Sequence, residues 1–233
     1  MRKRKPNDLV DQFRAEITTA RSDRLGLIAG ATRPLAQRAT MDAFTRVAVA
    51  FERFRSDWHI AAIARDATTF KQSQLTRVES ALTETKRAVL IPYIRVELPP
   101  HPTLAQVEEL LDASGGNISL PSIDEWKKRA KSHLAPDWEV KVRGIPWAEA
   151  QIADALIKTR NAASHQSTRA VDEMNDALTN LTHPVIHKGL ARPKHRVSVT
   201  GIPGYLHGAQ AGQPPRVEAF LDSLDRLAVH FRM

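Results

Sequence analysis

The stretch Met41-Asp-Ala-Phe-Thr-Arg-Val-Ala-Val-Ala-Phe-Glu-Arg-Phe-Arg-Ser-Asp-Trp-His-Ile-Ala-Ala-Ile-Ala-Arg65 decides the fold class. Within it Phe44, Val47, Phe51, Phe54, Trp58 and Ala61/Ala62 recur at intervals of three and four, with no glycine or proline between them. That spacing draws one apolar stripe down a long helix. Upstream, Asp8 to about Ala20 sets Leu9, Phe13, Ile17 and Ala20 on a similar stripe. Downstream, Asp66 can cap a third helix that runs from Ala67 through Phe70, Leu75, Val78 and Leu82 to the neighbourhood of Val89, where Pro92 is expected to stop it.

The middle of the chain is less regular. Tyr93-Ile-Arg-Val-Glu-Leu98 has strand character, Pro99-Pro-His-Pro102 is an extended turn, and Thr103 starts a short helix through Val107, Leu110 and Leu111 that Gly115-Gly116 ends. Ser122-Ile-Asp-Glu125 is a capping box, so a helix is expected from Trp126 to Leu134, with Pro136 after it. Pro146 suits a first helical turn and opens a helix to about His165. Another follows Thr168 with Val171, Met174, Leu178 and Leu181, until Pro184. Arg192 to Gly204 reads as loop or short hairpin, and Pro215 opens a terminal helix carrying Val217, Phe220, Leu221, Leu224, Leu227 and Val229. No segment repeats at a fixed period, and the alternation of a large sheet is missing. The expected architecture is all-α: a basic tail over residues 1–7, a helical bundle over 8–190 with an insertion around 92–121, and a loop or hairpin plus a C-terminal helix over 191–233 on the same domain.

Composition narrows the classes. The 233 residues are 42 % hydrophobic and 26 % charged, enough for a buried core. Stretches such as residues 87–94 fall well short of the roughly 20 apolar residues of a membrane span. Met1-Arg-Lys-Arg-Lys5 leads into no apolar signal region, so a cytoplasmic protein outside the membrane is expected. There is no cysteine, hence no disulfide, no thiolate zinc site and no thiol nucleophile. The net charge of +8 is compatible with a phosphate-bearing partner, but Arg2, Lys3, Arg4 and Lys5 supply half of it, so charge alone decides little.

Chemistry gathers on the helix from Pro146 to His165. In steps of four, Ala148, Ile152 and Leu156 lead to Arg160, while Ala153 and Ile157 lead to Asn161 and His165. Two apolar rows therefore turn polar together, which requires either an exposed helix end or another polar surface opposite. The other candidates are weaker. His183 and His187 stand four apart, but Pro184 between them breaks the helix that would align two imidazoles, and no carboxylate is suitably spaced, so no metal is expected. His195 in Arg192-Pro-Lys-His-Arg196 reads as part of a solvated or RNA-facing basic loop, with plain solvation favoured. Gly201 to Gly204 and Gly208 to Gly212 read as turns, without the spacing of a nucleotide loop. With 6 % aromatic residues there is no stacking platform for single strands.

Lys158-Thr-Arg-Asn-Ala-Ala-Ser-His165 resembles the signature of the HEPN superfamily, in which arginine and a polar residue precede a histidine on a late helix of an all-α bundle. Arg160, Asn161 and His165 fit it. Phe51-Glu-Arg-Phe-Arg-Ser-Asp-Trp58, Arg65-Asp-Ala-Thr-Thr-Phe70 and Gly116-Asn-Ile118 are similar to the RiboL-PSP-HEPN branch, which extends the likeness over residues 8–190. A bare arginine-to-histidine spacing also fits Arg53 with His59 and Arg95 with His101. Requiring asparagine directly after the arginine leaves Arg160 alone, a match expected by chance in roughly one protein of this size in a hundred. Gln166 departs from the pattern, where relatives commonly place glycine.

The resemblance implies a metal-independent endoribonuclease without cofactor. RNA carries its own nucleophile in the 2′-hydroxyl, so a base, a cation on the phosphate and in-line geometry suffice. An imidazole, here His165, can take or return a proton near neutral pH. Arg160 would clamp the phosphate, Asn161 would orient the histidine or the scissile group, and Arg169 would contact backbone phosphate. The products expected are a 2′,3′-cyclic phosphate and a 5′-hydroxyl. Arg160 and His165 lie about 140° apart around a helix, so one copy flanks a groove without closing it. The family's usual answer is a homodimer with both motif helices around one cleft. The resemblance further implies a toxin or phage-defence effector restrained by an antitoxin or defence-system partner. The alternative it leaves is a non-catalytic HEPN module that binds nucleotide, RNA or a partner protein.

Overall fold

The computed structural model describes residues 5–93, 95, 102–111, 120–190, 198–199 and 201–233. It is all-α. The helices are α1 (Pro6–Ile28), α2 (Arg33–Arg65), α3 (Thr68–Glu84), α4 (Leu104–Leu111), α5 (Ile123–His133), α6 (Pro136–Arg143), α7 (Trp147–His165), α8 (Thr168–Thr179), α9 (Ile202–His207) and α10 (Arg216–His230), with a 3-10 helix at Ala88–Tyr93. Among the described residues the only β pairing is one isolated antiparallel bridge, Ala209 with Pro215. No helix among them is long and apolar enough to cross a membrane. The chain forms two compact units, one of residues 1–6, 55–120 and 124–144 (unit 1), the other of 7–54, 121–123 and 145–233 (unit 2).

Unit 2 is built on the aromatic stripe of α2. Phe13 of α1 stacks on Phe54 at 4.9 Å between ring centres and tilts on Phe51 at 5.7 Å. Phe220 of α10 meets Phe44 edge-on at 5.3 Å, and Phe231 meets Phe54 at 5.7 Å. Each such buried ring contributes about 1.5–3 kcal/mol by leaving water. A line of ion pairs joins α1 to α10: Arg14 with Asp225, Arg21 with Glu218 and Asp222, and Arg24 with Glu218, while Arg232 just past α10 pairs with Asp11. Helix α7 packs against α8 and α10, with Ile152, Ala153, Ala155, Leu156 and Ile157 all buried.

Unit 1 gathers the end of α2 with α3 to α6. Trp58 meets Trp126 of α5 and Trp138 of α6 edge-on, at 6.1 and 5.8 Å. Thr103 and Gln106 cap α4 reciprocally: the Thr103 N–H donates to Gln106 Oε1, and the Gln106 N–H donates to Thr103 Oγ1.

Several expected boundaries move. α1 starts at Pro6 and runs on to Ile28, and α2 begins at Arg33, eight residues before Met41. The N-cap of α3 is Ala67, without a side-chain cap, and Asp66 just ahead of it accepts the Thr68 N–H on Oδ1 at 2.9 Å. That helix ends at Glu84, not near Val89: Lys86 turns left-handed (φ 58°), and the Arg87 N–H closes back on the Leu82 carbonyl. Pro92 does not stop α3, because it sits inside the later 3-10 helix. α5 ends at His133, and Pro136 opens α6, an unexpected helix. α8 ends at Thr179, short of Leu181, which is nevertheless buried. The end of the supposed loop at 192–204 is instead the start of α9, so Gly204 is helical. Most of the Tyr93–Leu98 strand, the Gly115-Gly116 stop, Gly116-Asn-Ile118 and His195 lie outside the described residues.

Candidate active site

Helix α7 is buried for most of its length and opens at its last turn. Thr159 is 0 % exposed and Ala162 1 %, whereas Arg160 and Asn161 are half-buried and His165 is exposed. The alternation follows from the helix repeat: the face that continues Ile152 and Leu156 emerges from the core where the helix ends. Thr159 stays inside by returning its hydroxyl to the Ala155 carbonyl at 2.7 Å.

The structure joins Arg160 and Asn161 directly. Arg160 Nη1 donates to Asn161 Oδ1 at 3.0 Å, and Nη2 donates to Glu52 Oε2 of α2 at 2.8 Å. The amide of Asn161 thus orients the arginine, whereas the sequence suggested the histidine or the scissile group. With 25 % of the Arg160 side chain and 32 % of the Glu52 side chain exposed, the pair is open to an incoming anion. His165 makes no hydrogen bond or ion pair among the described residues. It is the last residue of α7, at the apex of a tight helical hairpin. Gln166 turns left-handed (φ 50°, ψ 18°) with its N–H on the Ala162 carbonyl, and Ser167 Oγ then caps α8 at the Ala170 N–H. The position where the resembled pattern has glycine is therefore one whose backbone favours glycine.

Arg169 is 89 % exposed along its side chain and pairs with Glu173 at 2.9 Å. Glu173 also receives Lys158 of α7 at 2.5 Å. The hydrogen bonds from Lys158 and then Arg169 hold its carboxyl below the usual carboxylate range. Two cations share one carboxylate, so this cluster keeps a positive excess beside the α7–α8 turn. Glu52, Lys158 and Glu173 were not singled out from the sequence. Glu52 reaches Arg160 across 108 positions of chain, and no local spacing announces that pairing.

The imidazoles at 183 and 187 serve the backbone. His187 has Nε2 2.8 Å from the Ala148 carbonyl and accepts the His183 N–H on Nδ1, while His183 Nδ1 accepts the N–H groups of Val185 and Ile186. Burial is the first cause holding His187 below the usual imidazole range. Compared with known proteins, the chain matches no family model, no curated protein and no solved structure.

Proposed function

We propose that the chain is a metal-independent endoribonuclease of the HEPN type. The observation that carries the reading is the grouping at the open end of α7: a guanidinium steadied by Asn161 and Glu52, and an exposed imidazole at the following hairpin apex. In this reading the 2′-oxygen of the substrate attacks the neighbouring phosphorus as His165 takes its proton. The bond to the 5′-oxygen breaks, and that oxygen leaves with a proton returned by imidazole, giving a 2′,3′-cyclic phosphate and a 5′-hydroxyl. Arg160 stabilises the charge that builds on the phosphoryl oxygens. A phosphate that binds beside the Glu52 carboxylate finds a guanidinium already held in place by Asn161 and Glu52, and the Lys158–Arg169 cluster supplies further positive charge for the strand.

Two copies complete the cleft, since the arginine and histidine flank a groove in one copy. The biological role that goes with this reading is a toxin or phage-defence effector kept in check by a partner. A second reading, a binding module without cleavage, draws on the Glu52–Arg160 pair, which already neutralises the phosphate-binding cation. Cleavage of RNA in EDTA decides between them. The wild type is expected to cut, and His165→Ala and Arg160→Ala are each expected to lose about 100-fold or more. Cleavage that needs magnesium removes the mechanism; cleavage untouched by both substitutions removes the site.

A further inference from the structure

In unit 1 three rings from two helices form one hydrogen-bonded chain. Trp126 Nε1–H donates to His59 Nδ1 at 3.3 Å, and His59 Nε2 faces His133 Nδ1 at 3.2 Å. An indole N–H can only donate, so His59 Nδ1 carries no proton. The proton of a neutral His59 then sits on Nε2 and is given to His133, whose Nδ1 is bare in turn and whose own proton lies on Nε2. One indole thereby sets both tautomers. A further proton has no place in this chain. On His59 Nδ1 it would confront the indole N–H; on His133 Nδ1 it would confront the His59 N–H. Either position costs a buried hydrogen bond and leaves a cation among apolar rings.

Among the described residues no anion acts on the two rings. His59 is 0 % exposed. Phe70 of α3 stands edge-on to His133 at 5.4 Å, and Trp58 stands edge-on to the Trp126 indole at 6.1 Å. Among the described residues the charged groups acting on the two rings are Arg129 on α5 and Arg77 on α3, both cations, and α2 carries the buried Arg55 one turn before His59. We propose that the Trp126–His59–His133 chain is an acid-sensitive lock, which holds unit 1 closed while both imidazoles are neutral and releases it when they take up protons. This device is independent of the ribonuclease reading.

Burial first, then the charges of His133 and Arg129, hold His59 at about 3. Burial first, then Arg129 and Arg77, hold His133 at about 4. Both folded values lie below the ordinary value near 6.5 of an unfolded imidazole. The stability due to the neutral pair is therefore complete above about pH 6.5 and is lost as the pH falls from there through about 4 for His133 and about 3 for His59. In that window the unfolded form binds up to two more protons, so the unfolding constant rises by up to about 100-fold per pH unit.

Trp58, Trp126 and Trp138 belong to unit 1 and Trp147 to unit 2, so tryptophan fluorescence reports chiefly on unit 1. The test is an NMR titration of imidazole nitrogens in the full chain from pH 8 to 4, joined to urea unfolding followed by fluorescence. Both rings are expected as neutral Nε2–H tautomers down to about pH 5, with unit 1 unfolding far more readily at pH 5 than at pH 7. Trp126→Phe, which removes the indole donor, should raise the pH at which His59 titrates and flatten the pH slope. A wild-type ring that titrates at or above pH 6, or an Nδ1–H tautomer at His59, overturns the lock. So does an unchanged slope in Trp126→Phe; if that variant does not fold, the wild-type titration decides alone.

Discussion

A single carboxylate defines how Arg160 can act. Glu52 Oε2 lies 2.8 Å from the guanidinium, so the arginine is aimed but its charge is already matched. Glu52→Gln keeps an acceptor and removes the charge. RNA is then expected to bind more tightly, with a salt dependence steeper by about one counterion, while kcat falls because the arginine is less firmly held. Fluorescence anisotropy and single-turnover cleavage, measured on the same RNA, separate the two effects. An equal loss in both would mean that Glu52 supports the fold alone. At the hairpin apex, Gln166 holds φ at 50°, so Gln166→Gly is expected to stabilise the chain by about 0.5–1 kcal/mol in urea unfolding. A destabilised variant would show that the glutamine side chain earns its place through contacts of its own.

Between helices, the outcome depends on how deeply each ion pair is buried. Arg24 is 2 % exposed and leans on Glu218, so Glu218→Gln leaves a cation in the core and should cost about 3 kcal/mol. Arg46 pairs with Glu16 and Asp23 at the surface, and Arg46→Ala should stay within about 0.5–1 kcal/mol. Chemical denaturation of both variants checks the contrast. The same distinction explains which elements were legible in the sequence. The α2 stripe and the starts of α4 and α10 announce themselves because their signals are local: periodic rings, Thr103 before Val107, Pro215 before Val217. Helix α6 carries a local signal that points two ways. Pro136 at its start, Asp137 and Glu139 in its first turn, Lys141 and Arg143 in its last and Gly144 after it suit a helix, while the same Pro136 also suits the end of the helix before it. The end of α3 had no such flag, since a lysine supplies the left-handed turn. Arg160, Asn161 and His165 stood out where the apolar rows stop; Glu52 did not, because its pairing depends on packing between distant helices.

For the molecule as a whole, the nuclease reading requires association. One copy places Arg160 and His165 on different sides of α7, so light scattering at micromolar concentration should find a dimer, and a fully active monomer would refute the composite cleft. A further consequence follows from the way α7 is clamped along its early turns and bare at its tip. The packing of that rod lies in its earlier turns, so a substitution at the tip is expected to leave the scaffold intact. If the nuclease reading holds, a copy disarmed at His165 is expected to fold as the wild type does and still to pair with an active copy.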